Sequence, residues 1–206
     1  MTSGLVESCL GGLVALAVGA AGATDLDSLL ESLAREPPQT IPFVEIHHSS
    51  LLEHDLVVSG TLEYPAKGRL SRVVEEPYRE RTDVDGSDVT IQREGRPERR
   101  FSLRRSAELG GLLSAFSALL AGDRATLEAG FEPTVVFRLD GWQLDLVPKH
   151  GGRQDRVDRI RVQGVGNEPT CIAVLMRDGG AVTRIRLGTA AEDPQGGGCN
   201  GVSGEE

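Results

Sequence analysis

The chain of 206 residues predicts an α+β domain that is mainly antiparallel β. Three observations point there. Segments rich in β-branched residues follow one another with tight-turn signals between them, the pattern of an antiparallel meander. Two leucine-faced helical segments accompany that run, one ahead of it at 24–35 and one within it at 106–120. About ten strands in one sheet must curl strongly, close or split. A curled sheet leaves a concave face, and the two helices are available to cover it.

The elements follow in order. Residues 10–22 form an uncharged run of small and apolar residues, too short to span a bilayer. Ala21-Gly22-Ala23 has the small–x–small form of a signal-peptidase site, which makes Thr24 the first mature residue and 1–23 a leader. Residues 1–8 depart from that pattern, with no Lys or Arg and an acidic Glu7. Cys9 precedes the apolar run instead of following it, so no lipid anchor is expected. In 24–35, Leu26, Leu29, Leu30 and Leu33 share one helical face, Asp25 and Asp27 favour its positive end, and Pro37-Pro38 stops it.

Strands are then expected at 41–49, 56–64 and 69–74, with a turn at Gly68. Strands 78–84 and 88–92 flank Asp85-Gly86, a strong two-residue hairpin signal, and Glu94-Gly95 turns into 99–103. In 106–120, Leu109, Leu112, Leu113, Phe116, Leu119 and Leu120 fall on one helical face, Ser106 suits the cap, and Gly122 suits the end. Asp123 can cap a short helix that stops at Gly130. Strands 134–139 and 142–147 surround Asp140-Gly141, residues 150–158 read as a loop, and strands 160–165, 170–176 and 181–187 complete the domain. The domain is thus expected over 24–188, and 189–206 reads as a disordered Gly-rich tail.

In this order the chain resembles the LolA family, periplasmic carriers of outer-membrane lipoproteins. The likeness runs from residue 25 to 187. It rests on Asp25-Leu26-Asp27-Ser28-Leu29-Leu30, Phe43-Val44-Glu45, Gly60-Thr61-Leu62, Pro77-Tyr78 leading into 82–86, and 142–149 (WQLDLVPK) with the meander after it. Within the family it is similar to the divergent proteobacterial members whose genes lie beside aryl-polyene biosynthesis genes. The resemblance implies an incomplete, half-open β-barrel with an α-helical lid over a hydrophobic cavity. It further implies a monomeric carrier that takes an acylated lipoprotein or other lipid-like ligand from an inner-membrane donor to an outer-membrane acceptor. No cofactor and no enzymatic activity are expected; the alternatives are a carrier or accessory binding protein for an aryl-polyene-type lipid product, and a non-carrier β-domain interaction protein. Each buried CH₂ contributes about 0.8 kcal/mol, so such a carrier needs a dry apolar cavity.

The cavity residues expected on this basis are Leu26, Leu29, Leu30 and Leu33 from the first helix and Leu109, Leu112, Leu113, Phe116 and Leu120 from the second. Val58, Leu62, Leu70 and Val89 are added from the sheet. The family's lid is latched by an Arg of an Arg-Pro pair after its first long strands. Here that stretch reads Tyr64-Pro65-Ala66-Lys67-Gly68-Arg69, without a clear match, so Lys67 or Arg69 would have to stand in as the latch.

Composition narrows the alternatives. The 39% hydrophobic and 26% charged fractions are ordinary for a globular protein, and aromatics at 4% leave Leu, Val and Ile to line a cavity. A net charge of −9 with scattered Lys and Arg gives no basic face, so no nucleic-acid partner is expected. His47 and His48 alternate to opposite faces of a strand and cannot chelate together, so no metal is expected of them with His54, Glu45 and Glu53. Asp83, Asp85 and Asp88 lack EF-hand spacing and belong to a hairpin. No Gly-x-Ser-x-Gly elbow occurs. Arg79-Glu80-Arg81, Arg99-Arg100 and Arg104-Arg105 read as a solvated sheet face, or as a basic surface for a partner's acids or a lipid headgroup. Cys171 and Cys199 could pair in an oxidising compartment, although Cys199 sits in the Gly-rich tail.

Overall fold

The computed structural model describes residues 21–47, 53–102, 107–149, 157–177, 183–192 and 199. Its framework is one open antiparallel sheet of eleven strands with helices over one face, the expected α+β, half-barrel class. The chain opens with α1 (Ala21–Leu33), followed by β1 (Gln39–His47), β2 (Leu56–Ala66), β3 (Arg69–Glu76), β4 (Glu80–Asp85), β5 (Asp88–Arg93) and β6 (Arg99–Ser102). Helices α2 (Ala107–Ala121) and α3 (Arg124–Gly130) come next. The second strand run is β7 (Phe131–Arg138), β8 (Gly141–Pro148), β9 (Val157–Val165), β10 (Glu168–Met176) and β11 (Thr183–Leu187), and α4 (Thr189–Glu192) ends it. No helix among the described residues is long and apolar enough to cross a membrane.

Spatial order explains where the helices go. The sheet runs β6-β5-β4-β3-β2-β1-β11-β10-β9-β8-β7, so the first and last strands of the chain meet at its centre. Phe43 of β1 faces Leu187 of β11, and Glu45 faces Ile185. β6 and β7, adjacent in the chain, lie on opposite edges. The segment joining them must therefore cross the whole sheet, and that segment is α2 and α3. Leu113, Ala115, Phe116, Ala118, Leu119 and Leu120 are buried under the crossing.

Local chemistry sharpens the crossing. The Asp123 N–H donates to the Ala118 carbonyl and the Gly122 N–H to the Leu119 carbonyl, a Schellman ending with Gly122 at φ 64°. Asp123 then turns from ending one helix to capping the next, its carboxylate accepting from the Thr126 N–H at 3.0 Å. α1 lies against β7 and α2, with Leu26, Leu29, Leu30 and Leu33 all buried. Its described span, Ala21–Leu33, runs across the expected cleavage point after Ala23.

Two hairpins differ from expectation by one residue. Asp85 still pairs with Asp88, so the tight loop is Gly86-Ser87, with Gly86 at φ 58°. Arg138 pairs with Gly141, so the second loop is Leu139-Asp140 and the exposed Leu139 stands at its tip. The expected tail also changes character: α4 forms at its start, and Cys199 is bonded to Cys171 of β10 across 28 residues of sequence. Cross-linking withdraws chain entropy from the unfolded state. A Cys199→Ser variant is expected to lose about 2–4 kcal/mol of unfolding free energy. Urea denaturation should show reductant lowering the native protein to the same midpoint while leaving the variant unchanged.

Candidate functional site

Strand alternation decides what faces the helices. On β1 the inward row is Ile41, Phe43, Glu45 and His47; on β3 it is Leu70, Arg72 and Val74; on β4 it is Glu80, Thr82 and Val84. The β1 and β4 rows are apolar at one end and polar at the other, and the β3 row sets Arg72 between Leu70 and Val74. Where α2 crosses, a cavity of about 310 Å³ remains. Its apolar wall includes Phe43, Leu62, Leu70, Ile91, Leu113, Phe116, Ile172 and Ile185, and its polar end carries Glu45, His47, Arg72, Glu80 and Thr82.

The expected cavity residues separate into groups. Leu62, Leu70, Leu113 and Phe116 line the cavity. Leu26, Leu29, Leu30, Leu33, Val58, Val89 and Leu120 do not: they are packed in the core that supports it. For the four α1 leucines the reason is topological, because α1 lies against β7 at the far edge while the cavity opens above β1 to β5 with β10 and β11. Leu109 and Leu112 lie on α2 outside the described side chains. Neither expected latch residue lines the cavity. Lys67 approaches Glu36 at 3.9 Å and Arg69 pairs with Asp85 at 2.9 Å, both exposed.

The cation inside is Arg72, which the sequence reading did not single out. Its guanidinium lies 5.0 Å from the Phe43 ring centroid and donates to Glu45, across the intervening strand β2. That strand contributes no side chain at the crossing level, since the inward position between Val58 and Leu62 is Gly60. The register of β2 on β3 shifts there, and a Cβ on Gly60 would fall 1.9 Å from the Val73 carbonyl oxygen, so no larger residue fits. Glu45 also takes a hydrogen bond from His47 Nε2 at 2.9 Å. His47 Nδ1 lies 3.2 Å from the Thr183 hydroxyl, within hydrogen-bond distance.

Burial alone would push the Glu45 carboxyl up. The His47 hydrogen bond and the charge of Arg72 outweigh it and hold the group below its ordinary 4.5. A depressed carboxylate stabilises the fold above its unfolded value and loses that contribution as pH falls through the folded value. The stability gap between the native protein and a Glu45→Gln variant should therefore narrow from about pH 7 to about pH 3 in urea denaturation. A gap that stays constant would contradict the pairing.

Outside the cavity, Arg81 joins Asp83, Glu63 and Ser71, and Asp145 holds Arg159 and Arg161. This is the solvated sheet face expected for Arg81, and such pairs contribute little each. Glu80 departs from that expectation: it points into the cavity, while Arg79 and Arg81 on either side of it do not line it.

A family model described as outer membrane lipoprotein carrier protein LolA-like matches residues 18–199. Among solved structures, a LolA superfamily protein from Nitrosomonas europaea is 11% identical, with a TM-score of 0.47 over 82% of this chain and 92% of that one. The MucA/MucB complex of Pseudomonas aeruginosa is 12% identical, with a TM-score of 0.40 over 79% of this chain and 55% of that one. A DUF1329 family protein from Desulfovibrio piger is 13% identical, with a TM-score of 0.39 over 79% of this chain and 88% of that one. No curated protein matches the chain at a significant level.

Proposed function

We propose that this chain, which belongs to the LolA-like family of outer-membrane lipoprotein carrier proteins, holds the acyl chains of a lipoprotein or lipid in the cavity beneath α2. The observation that carries the reading is the crossing helix. Because β6 and β7 end on opposite edges, α2 must bridge the concave face, and the space it leaves is walled mainly by apolar side chains. With about 0.8 kcal/mol for each CH₂ moved out of water, a chain that fills this space is held without any covalent chemistry. The protein is then a binding carrier and not an enzyme.

On the same reading the protein works in the periplasm as a monomer after removal of a leader ending at Ala23. It receives its load from an inner-membrane donor and passes it to an outer-membrane acceptor, with no part for nucleic acid. The Cys171–Cys199 bond supports an oxidising compartment. Native mass spectrometry of the purified protein, followed by solvent extraction, tests the core of the proposal. A co-purifying acylated species is expected; a ligand-free protein that takes up no acyl probe would sink it.

The size of the cavity supports a second reading. At about 310 Å³ it sits at the lower end of ligand pockets, roughly 300–1,000 Å³. A single lipid-like product of the aryl-polyene type would suit it as an alternative to lipoprotein acyl chains. Visible absorption in the extract distinguishes the two.

A further inference from the structure

The apolar cavity does not end in a closed wall. Glu80 lines it and also lines a broad polar groove that continues outside along β3, β4 and β5. At this junction Glu80 stands between two arginines. Its Oε1 is 3.9 Å from Arg72 Nη1 and its Oε2 is 3.9 Å from Arg93 Nη1. Charge-assisted N–H···O bonds close to about 2.7–2.9 Å, so Glu80 balances both charges without bonding either. Arg93 stacks 3.8 Å above the Tyr78 ring, and Tyr78 itself lines the cavity. The Arg93 guanidinium makes no hydrogen bond among the described residues, although its side chain is only 35% exposed. The other cavity carboxylate, Glu45, is fully engaged by Arg72 and His47.

From this geometry we propose that the cavity takes a single-chain amphiphile with a small anionic headgroup, a carboxylate or phosphate monoester, which displaces Glu80 from between Arg72 and Arg93. The proposal rests on the carrier reading and names the chemistry of the load. Glu80 begins β4, and its oxygens stop 3.9 Å short of both guanidiniums. A ligand anion is not part of the strand and can close to hydrogen-bond distance while its chain lies along Leu62, Leu70 and Phe116. Glu80, already on the boundary, turns into the groove and regains water. The groove as a whole is not an anion site, because Glu75, Glu76, Glu94 and Glu98 share it with Arg79, Arg81 and Arg96. The selectivity comes from the junction.

Displacement of phenylnaphthylamine from the full chain tests this with one chain length and different headgroups. Laurate and dodecyl phosphate are expected to bind at least about tenfold more tightly than neutral monolaurin, the effect of one charge-assisted hydrogen bond. Dodecyltrimethylammonium should bind no better than monolaurin, and inorganic phosphate should leave the probe in place. Arg93→Gln should bring the laurate-to-monolaurin affinity ratio down towards one, and Glu80→Gln should raise that ratio. Equal affinity for all headgroups, a preference for the cation, displacement by phosphate alone, or an Arg93→Gln variant that weakens every chain alike would overturn the proposal. If no dodecyl chain displaces the probe, the carrier reading falls with it; if chains bind without regard to charge, only the headgroup site does.

Discussion

Replacing Arg72 with methionine is expected to cost about 3 kcal/mol of unfolding free energy. The side chain is 21% exposed and its partner Glu45 only 9%, so the substitution leaves a nearly buried carboxylate without its guanidinium. Removing one member of a buried pair typically costs about 3–5 kcal/mol, and the surviving His47 bond places this case at the lower end. The lost stacking on Phe43 acts in the same direction. A second substitution makes the result diagnostic. Replacing Glu45 with leucine in the Arg72→Met background removes the stranded charge, and apolar replacements of a buried pair are often neutral or stabilising. Urea denaturation of the single and double variants should therefore find the double variant more stable than Arg72→Met alone. A double variant that loses the sum of two single losses would show that the two side chains act independently, with no coupling between them. Recovery would mean that stability does not account for two charges facing an apolar cavity, and the ligand becomes the reason for them.

Those charges were the least legible part of the sequence, although a signal was present. Period-two alternation places Phe43, Glu45 and His47 on one face of β1, and Leu70, Arg72 and Val74 on one face of β3. Read strand by strand, a charge looks solvated, and only the parity shared with Phe43 and Leu70 turns these inward. The strands themselves were readable because their turns are local: Gly68, Gly86, Gly95 and Gly166 all take positive φ between paired strands. The pairing of β1 with β11 was not readable, since Glu45 and Ile185 come from opposite ends of the domain and no local turn joins them. That one pairing puts β6 and β7 on opposite edges, and hence turns α2 from a packing helix into the cover of a cavity. The leucine face of α1 looked equivalent to that of α2 for the same reason. Periodicity says that a face is buried, and topology says against what.

That distinction gives opposite outcomes for two leucines. Leu29, only 1% exposed, packs in the supporting core away from the cavity, and truncating it to alanine is expected to cost about 2–5 kcal/mol. Acyl-probe affinity per folded molecule should not change, since no cavity wall is removed. Leu113 faces the cavity from α2, and a Leu113→Trp substitution adds an indole where about 310 Å³ is open. The strain should fall below the roughly 1–3 kcal/mol of overpacking a filled core. The loss of space for two or more methylenes, at about 0.8 kcal/mol each, should weaken the probe at least tenfold. Thermal denaturation and probe titration on both variants give four numbers, and the expected pattern is crossed: stability lost with binding kept in one, binding lost with stability kept in the other. If Leu29→Ala abolished binding while Leu113→Trp left it intact, the chain would bind against α1, and the bridge formed by α2 would be an ordinary core helix.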